Sequence, residues 1–381
     1  MNHYEKLWLK QPFGSQDGIN LQSDVLVNVS ADGVDLNQLW SEVQSVLSAW
    51  NNERTSVAQL LTHLTINAAD AVPQAIEDES FETATEVGSP VSIRAPGNAI
   101  LLGNTLEDYD KAGRFSWRYL RDSTADQIRA VTNYALAADN KLTNGLIMNR
   151  LFDPEPDYNE FNHTVYGLWS ADGMIPPPYL GKRFPANHSH YLVSQGAVID
   201  SGDLDDAIKT IVEHGYGVAA NSKLIAFVNE VEADEISKFR AGEENNNNII
   251  ANHDFIPSQG APAYLQPDNI VGQIAPANFN GLRIDGSYGP AYVVRTQYIP
   301  AGYLAVVATE GPNSLNNAIS LRQHPKQQYQ GLRSIPGNTN GYPLVESFWS
   351  RAVGVGTRHR GAAAVVQIKA AGDYEPPTIP M

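Results

Sequence analysis

The chain has 381 residues, enough for roughly two or three domains with a real core, and 42% apolar residues exclude a disordered polymer. A formal net charge of −16 argues against direct nucleic-acid binding, which needs clustered Lys and Arg; the only dense basic cluster is Arg358-His359-Arg360. With no cysteine, disulfides and thiolate metal sites are excluded, and no run of about 20 apolar residues is present to span a membrane.

Only 18% of residues are charged, so Asn, Gln, Ser and Thr must supply much of the polar surface. Such groups are cheaper to desolvate than charges, which suits a protein that buries much of itself against partners. The opening MNHYEKLWLKQPFG lacks the apolar run of a signal peptide, so a soluble chain without a visible export signal is expected.

Residues 1–34 show no periodicity and read as an extended arm. A helix is predicted from Asp35, which with Gln38 makes a capping-box pattern, and Leu36, Leu39, Trp40, Val43, Val46, Leu47 and Trp50 share one face for core packing. A short apolar segment, Val57 to Ile66, precedes a break at Pro73. From Glu77 to Arg114 short strand-like pieces, Val91–Arg94 and Ile100–Leu102, flank the turn signal Pro96-Gly97-Asn98. The polar run Glu107–Gly113 then leads into Phe115–Leu120, the whole reading as a long β-excursion.

Ser123 to Phe152 is predicted to form one long helix of about 45 Å. Its stripe is Ile128, Val131, Ala135, Ala138, Leu142 and Leu146, with Ser123 and Asp126 as a capping box and Asp153-Pro154 as its stop. Beyond the connector Pro176-Pro177-Pro178, the pattern predicts a helix at Leu204–His214 with Asp203 as N-cap and Gly215 at C′. A buried strand follows at Leu224–Val228, then a helix at Glu232–Ala241 and a loop at Asn245–Asn248, together a compact α/β unit. Tyr292–Ile299 and Tyr303–Thr309 flank a type I turn at Ile299-Pro300-Ala301-Gly302 and are predicted to pair as a hairpin. A long strand at Val345–Thr357, a basic turn and a last strand at Ala362–Ile368 complete the chain.

This order of elements, with FSWRYLRDSTADQI entering the long helix and VESFWSRAVGVGTRHRGAAAVVQI near the end, resembles the major capsid proteins of tailed bacteriophages. The resemblance runs from about Ser80 to Lys369, and the phrases VYGLWSADG and GVGTRHRGAA look like those of actinobacterial tailed phages. It implies an α+β chain of the Hong Kong 97-type capsid fold. The expected divisions are an N-terminal arm and helix (1–76), an extended E-loop (77–117), and a peripheral domain with the spine helix (118–178). An axial α/β domain (179–285), further peripheral strands and loops (286–357), and a C-terminal return to the axial domain with a tail (358–381) follow.

The resemblance further implies a structural, non-enzymatic subunit that self-assembles as pentamers and hexamers into an icosahedral head. That head encloses double-stranded DNA without sequence-specific binding, so the place of the protein is the virion, after assembly in the host cytoplasm. The short, modestly charged N-terminal region is unlike the cleaved scaffolding segment of some members, which implies a separate scaffolding protein if one is used; the resemblance also implies portal and decoration partners, and no membrane. The covalent crosslinking of one branch needs a Lys, an Asn and a Glu; Lys111 lies in the expected loop, but a solvated lysine is the preferred reading. The alternatives are an encapsulin-type nanocompartment shell, a soluble α/β hydrolase or carbohydrate-active enzyme, and a virion decoration or tail-associated module.

Chemistry-bearing patterns are few. His188-Ser189-His190 puts two imidazoles on one strand face, but no third ligand lies nearby in sequence, and packed or surface histidines are preferred to a metal site. Asp153, Glu155, Asp157 and Asn159 alternate like early calcium-loop ligands without the loop's glycine and final glutamate. Gly354-Val355-Gly356 lacks dinucleotide-site spacing, and no GxxxxGK[ST], HExxH or GxSxG occurs. A dispersed Ser/His/Asp constellation stays open, since such residues meet only in three dimensions. The sequence singles out no catalytic, cofactor-binding or metal residue, and no cofactor.

Overall fold

The structure is a computed structural model that describes residues 29–53, 55–74, 83–84, 99–258, 274–336 and 344–381. Most of the expected arm and the strand-like piece at 91–94 lie outside the described residues. The chain divides into two units.

The first unit comprises the described residues of 1–53, 108–139 and 331–351. Its helix Leu36–Asn52 starts at Asp35, whose carboxylate accepts from the Asn37 N–H at 2.8 Å. Gln38 does not close a capping box and instead donates to Glu42. Leu39, Val43 and Leu47 are buried, whereas Trp40 and Val46 are exposed, so the apolar face is wider than the core it covers. Val43, Leu47 and the half-buried Trp50 pack with Ala135, Leu136, Leu332 and Trp349. Beside them the buried Asp139 accepts from Trp50 Nε1 at 2.8 Å and Arg351 Nη1 at 2.9 Å.

The strand Leu332–Pro336 pairs antiparallel with residues 347–351 of the long strand Leu344–Thr357, which Glu107–Ser116 also joins. Where the β-excursion was expected to continue, Trp117–Asp122 is helical, because the Ser116 hydroxyl caps the Tyr119 N–H.

The long helix spans Ala125–Phe152 and contributes residues to both units. Its capping box is Thr124 with Gln127, one residue beyond the predicted pair, while Asp126 bonds Arg129. Ser123 instead ends the preceding helix, and Asp32 accepts from the Ala125 N–H at 3.0 Å. Of the predicted stripe only Ala135 is fully buried; the inward row is Thr132, Leu136, Asp139, Thr143, Ile147 and Leu151. Buried polar residues, Thr132, Asp139 and Thr143, occupy half of that row, which a hydrophobic-period reading cannot find.

The second unit comprises the described residues of 54–107, 140–330 and 352–381. Its main sheet has the order 191–193, 363–367, 303–309, 223–228, 291–295, 286–288, 255–257. The predicted hairpin is absent. Strand Lys223–Val228 lies between its two arms, parallel to Ala291–Arg295 and antiparallel to Tyr303–Thr309. Every residue from Leu224 to Val228 is buried, so this apolar run takes the centre that a local hairpin would have closed.

Helix Ser201–Val212 packs on the strands Ala363–Gln367 and Tyr303–Thr309. Its N-cap is Asp200, and the predicted cap Asp203 is the reciprocal third-position partner in a full capping box. The asparagine run expected as a plain loop clamps this helix start. Asn245 Oδ1 accepts from Ser201 N–H, Asn246 Nδ2 donates to Ile199 O, and Asn247 Nδ2 donates to Asp200 Oδ2. Asn247 and Asn248 adopt positive φ, which asparagine tolerates better than most residues.

A second sheet of this unit runs from Thr62–Thr65, parallel to Ile319–Gln323, to residues 353–357, antiparallel. Gly354 and Gly356 have a steric reason. A Cβ on Gly354 would overlap the Thr105 carbonyl, and one on Gly356 would strike Gly103 O and Asn104, so residues 103–106 cross directly over the strand. Thr105 and Val355 lock that crossing through Thr105 N–H and Oγ1, each 3.0 Å from Val355 O, and Val355 N–H to Thr105 Oγ1 at 3.0 Å.

Candidate functional site

Within the second unit, the segment 165–190, the end of helix Ser201–Val212 and the turn 358–362 meet in one polar cluster. At its centre the Arg360 side chain is wholly buried. Its Nε donates to Gly167 O at 3.0 Å, and its Nη2 donates to Leu168 O at 3.0 Å and Asp172 Oδ2 at 2.7 Å. The guanidinium lies over Trp169 at 4.2 Å and Tyr166 at 4.9 Å. VYGLWSADG and TRHRG are therefore two halves of one packing unit, with a glycine at 167 because a Cβ there would meet Tyr191 Oη and Asp153 O.

The rest of the basic turn also faces inward. Arg358 Nε donates to Leu315 O at 2.7 Å, and His359 Nε2 lies 2.9 Å from the same oxygen. His359 Nδ1 is 3.0 Å from Tyr216 Oη, so the ring is neutral with its proton on Nε2. Burial pulls the His359 pKa down to about 4. The one dense basic cluster of the sequence is thus spent on internal bonds.

Against this cluster stands an imidazole group that the sequence only half reveals. His188 and His190 are joined by His214, from the turn that ends helix Ser201–Val212, and one nitrogen from each ring lies within 4.8 Å of the others. Ring centroids are 4.8–5.1 Å apart. His188 and His214 meet through their Nε2 atoms at 2.9 Å, and Phe184 stacks on His214 at 3.9 Å. His190 is fully buried; its Nδ1 contacts Ala363 O at 2.6 Å, and its Nε2 has no hydrogen-bond partner. Burial pushes all three pKa values down, His190 well below its ordinary value and His214 to about 3. The close Nε2–Nε2 approach of His188 and His214 requires that at least one of these nitrogens be an unprotonated acceptor. The third ligand missing near His188 and His190 arrives from 24 positions beyond His190, and only its place at the helix end could have hinted at it.

The other sequence candidates do not converge. Among the described residues, that trio is the one group of three or more His, Cys, Asp or Glu side chains close enough to share an ion. Asp153 Oδ1 accepts from the Glu155 N–H, and Asn159 Nδ2 donates to Ala68 O and Asn104 O, so the calcium-like alternation is spent on loop geometry. Lys111 is exposed on the strand Glu107–Ser116. A recess of about 520 Å³ is lined by His63, Thr65, Asn67, Asp70, Gln323 and Arg358 among others. Its carboxylate, Asp70, accepts from Thr65 Oγ1 and Asn67 Nδ2 and thereby shapes the loop.

The second unit also exposes large apolar side chains, Leu180 at 79%, Ile175 at 65%, and Phe161 and Ile250 at 62% each. No helix among the described residues is long and apolar enough to cross a membrane.

No protein-family model matches the sequence, and no curated protein does. Among solved structures, the chain is similar to one from Mycobacterium phage Patience, with 38% identity, a TM-score of 0.69, and coverage of 96% of this chain and 97% of that one. It is also similar to the capsid of an empty GTA particle, at 14% identity and a TM-score of 0.47, covering 96% and 98% of the two chains. A holo-SrpI encapsulin complex from Synechococcus elongatus matches at 10% identity and a TM-score of 0.43, covering 88% of this chain and 98% of that one.

Proposed function

The chain belongs to the major capsid proteins of tailed bacteriophages, with the Hong Kong 97-type fold, and we infer from this that it is the shell subunit of an actinobacterial-type phage head. The observation that carries the reading is 38% identity to the Mycobacterium phage Patience chain over 96% of this one. Its role is structural: copies associate as pentamers and hexamers into an icosahedral shell around double-stranded DNA, and its place is the virion. Exposed Leu180, Ile175, Phe161 and Ile250, on a surface with few charges, support burial against neighbouring copies.

The finer assignments belong to the same reading. Residues 77–117 act as the E-loop that overlaps a neighbour, 118–178 with 286–357 as the peripheral domain, and 179–285 as the axial domain, to which 358–381 return. The N-terminal arm (1–34) overlaps neighbouring subunits as well. Assembly takes place in the host cytoplasm with a separate scaffolding protein, portal and decoration partners, and the subunit itself catalyses no reaction.

Expression of the chain, alone and with its scaffolding partner, followed by gel filtration and negative-stain microscopy, tests this. Rings or closed shells are expected. A chain that stays monomeric in both conditions would overturn the assembly role.

A further inference from the structure

We propose that His188, His190 and His214 form a binding site for one divalent transition-metal ion of the zinc class, which staples the segment 185–191 to the end of helix Ser201–Val212. Imidazole nitrogens are the natural ligands of Zn(II), Ni(II) and Cu(II), and no thiolate is present in the chain to compete.

The strongest observation is the state of His190. Its Nδ1 is held by the Ala363 carbonyl at 2.6 Å, which fixes the proton there and leaves Nε2 as a bare lone pair. That nitrogen is buried without a partner, a costly arrangement unless something binds it. A backbone carbonyl on the far nitrogen is how metal-bound histidines are commonly oriented.

The other two rings already face each other through Nε2. Around a tetrahedral ion with Zn–N bonds of about 2.1 Å, ligand nitrogens stand about 3.4 Å apart. The 2.9 Å pair must therefore open by about 0.5 Å, and the widest separation, within 4.8 Å, must close by no more than about 1.4 Å. His188 is only partly buried, so it can make that adjustment, and its open side leaves room for a water as fourth ligand. Nearby charges are neutralised in pairs, Lys182 with Glu213 and Arg360 with Asp172.

The untagged full chain is titrated with Zn(II) by calorimetry and with Co(II) by visible spectroscopy. One ion per chain is expected, with the intense d–d bands of four-coordinate cobalt and a rise in melting temperature on zinc loading that EDTA reverses. His188→Ala removes a partly exposed ligand and is expected to weaken zinc binding by more than about 100-fold, beyond the loss typical of an outer-shell change. His163→Ala, outside the cluster, is expected to change nothing. If the wild-type chain shows only the spectrum of hydrated cobalt, or His188→Ala binds zinc as the parent does, the site is a packed trio of neutral imidazoles and the proposal fails.

Discussion

His359 shows at the residue scale what it costs to bury a titratable group inside a bonded turn. Its ring donates from Nε2 to Leu315 O and accepts from Tyr216 Oη at Nδ1, so protonation would break one bond and leave a charge without solvent. The folded pKa is about 4 against an ordinary 6.5, and a depressed value means stability that is complete above pH 6.5 and lost as pH falls toward 4. Over that window the contribution is about 3 kcal/mol, from roughly 1.4 kcal/mol per unit. His359→Gln, which keeps a donor in place of Nε2, is expected to flatten the acid limb of stability between about pH 7 and pH 4.5. Denaturant midpoints measured across that range decide it; equal pH slopes in parent and variant would refute the assignment. The same accounting explains Asp139, a carboxylate on a helix row that should have been apolar. It is tolerable there because Arg351 and Trp50 both bond it.

Among the elements, what was legible in the sequence was whatever announces itself locally. The long helix lies within two residues of its predicted start and ends at the predicted Phe152, and Leu224–Val228 is the buried strand its apolar run suggested. What was illegible depended on partners far away in the chain. The helix stripe was misplaced because its inward row is half polar, and the hairpin at 292–309 is opened by a strand some 65 residues earlier. Likewise, two histidines of the trio are visible as a pattern while His214 is visible only in three dimensions. Gly354-Val355-Gly356 is the reverse case, a motif visible in the sequence that lacks nucleotide-site spacing and whose meaning is a chain crossing. Gly354→Ala forces the Thr105 carbonyl aside and strains the bonds between Thr105 and Val355. A loss of roughly 3 kcal/mol is expected, at the upper end of overpacking costs, read from the shift in denaturant midpoint. A change within about 0.5 kcal/mol would show that the crossing is loose.

For the whole molecule, a capsid subunit needs a surface that associates with copies of itself, and its charge bears on how it would meet a nucleic acid. The net charge is −16, and the dense basic turn is consumed by Asp172, Leu315 and neighbouring carbonyls. Isolated subunits are therefore expected to give no gel shift with duplex DNA at about 150 mM salt, and retention of DNA there would contradict this picture. A last consequence follows from the position of Ala363–Gln367, which lies inside its sheet between Tyr191–Val193 and Tyr303–Thr309. Until that strand is made, Tyr191–Val193 has no neighbour in the sheet and one edge of Tyr303–Thr309 is expected to stay open to other chains. The sheet is expected to close only once residues 363–367 have been made.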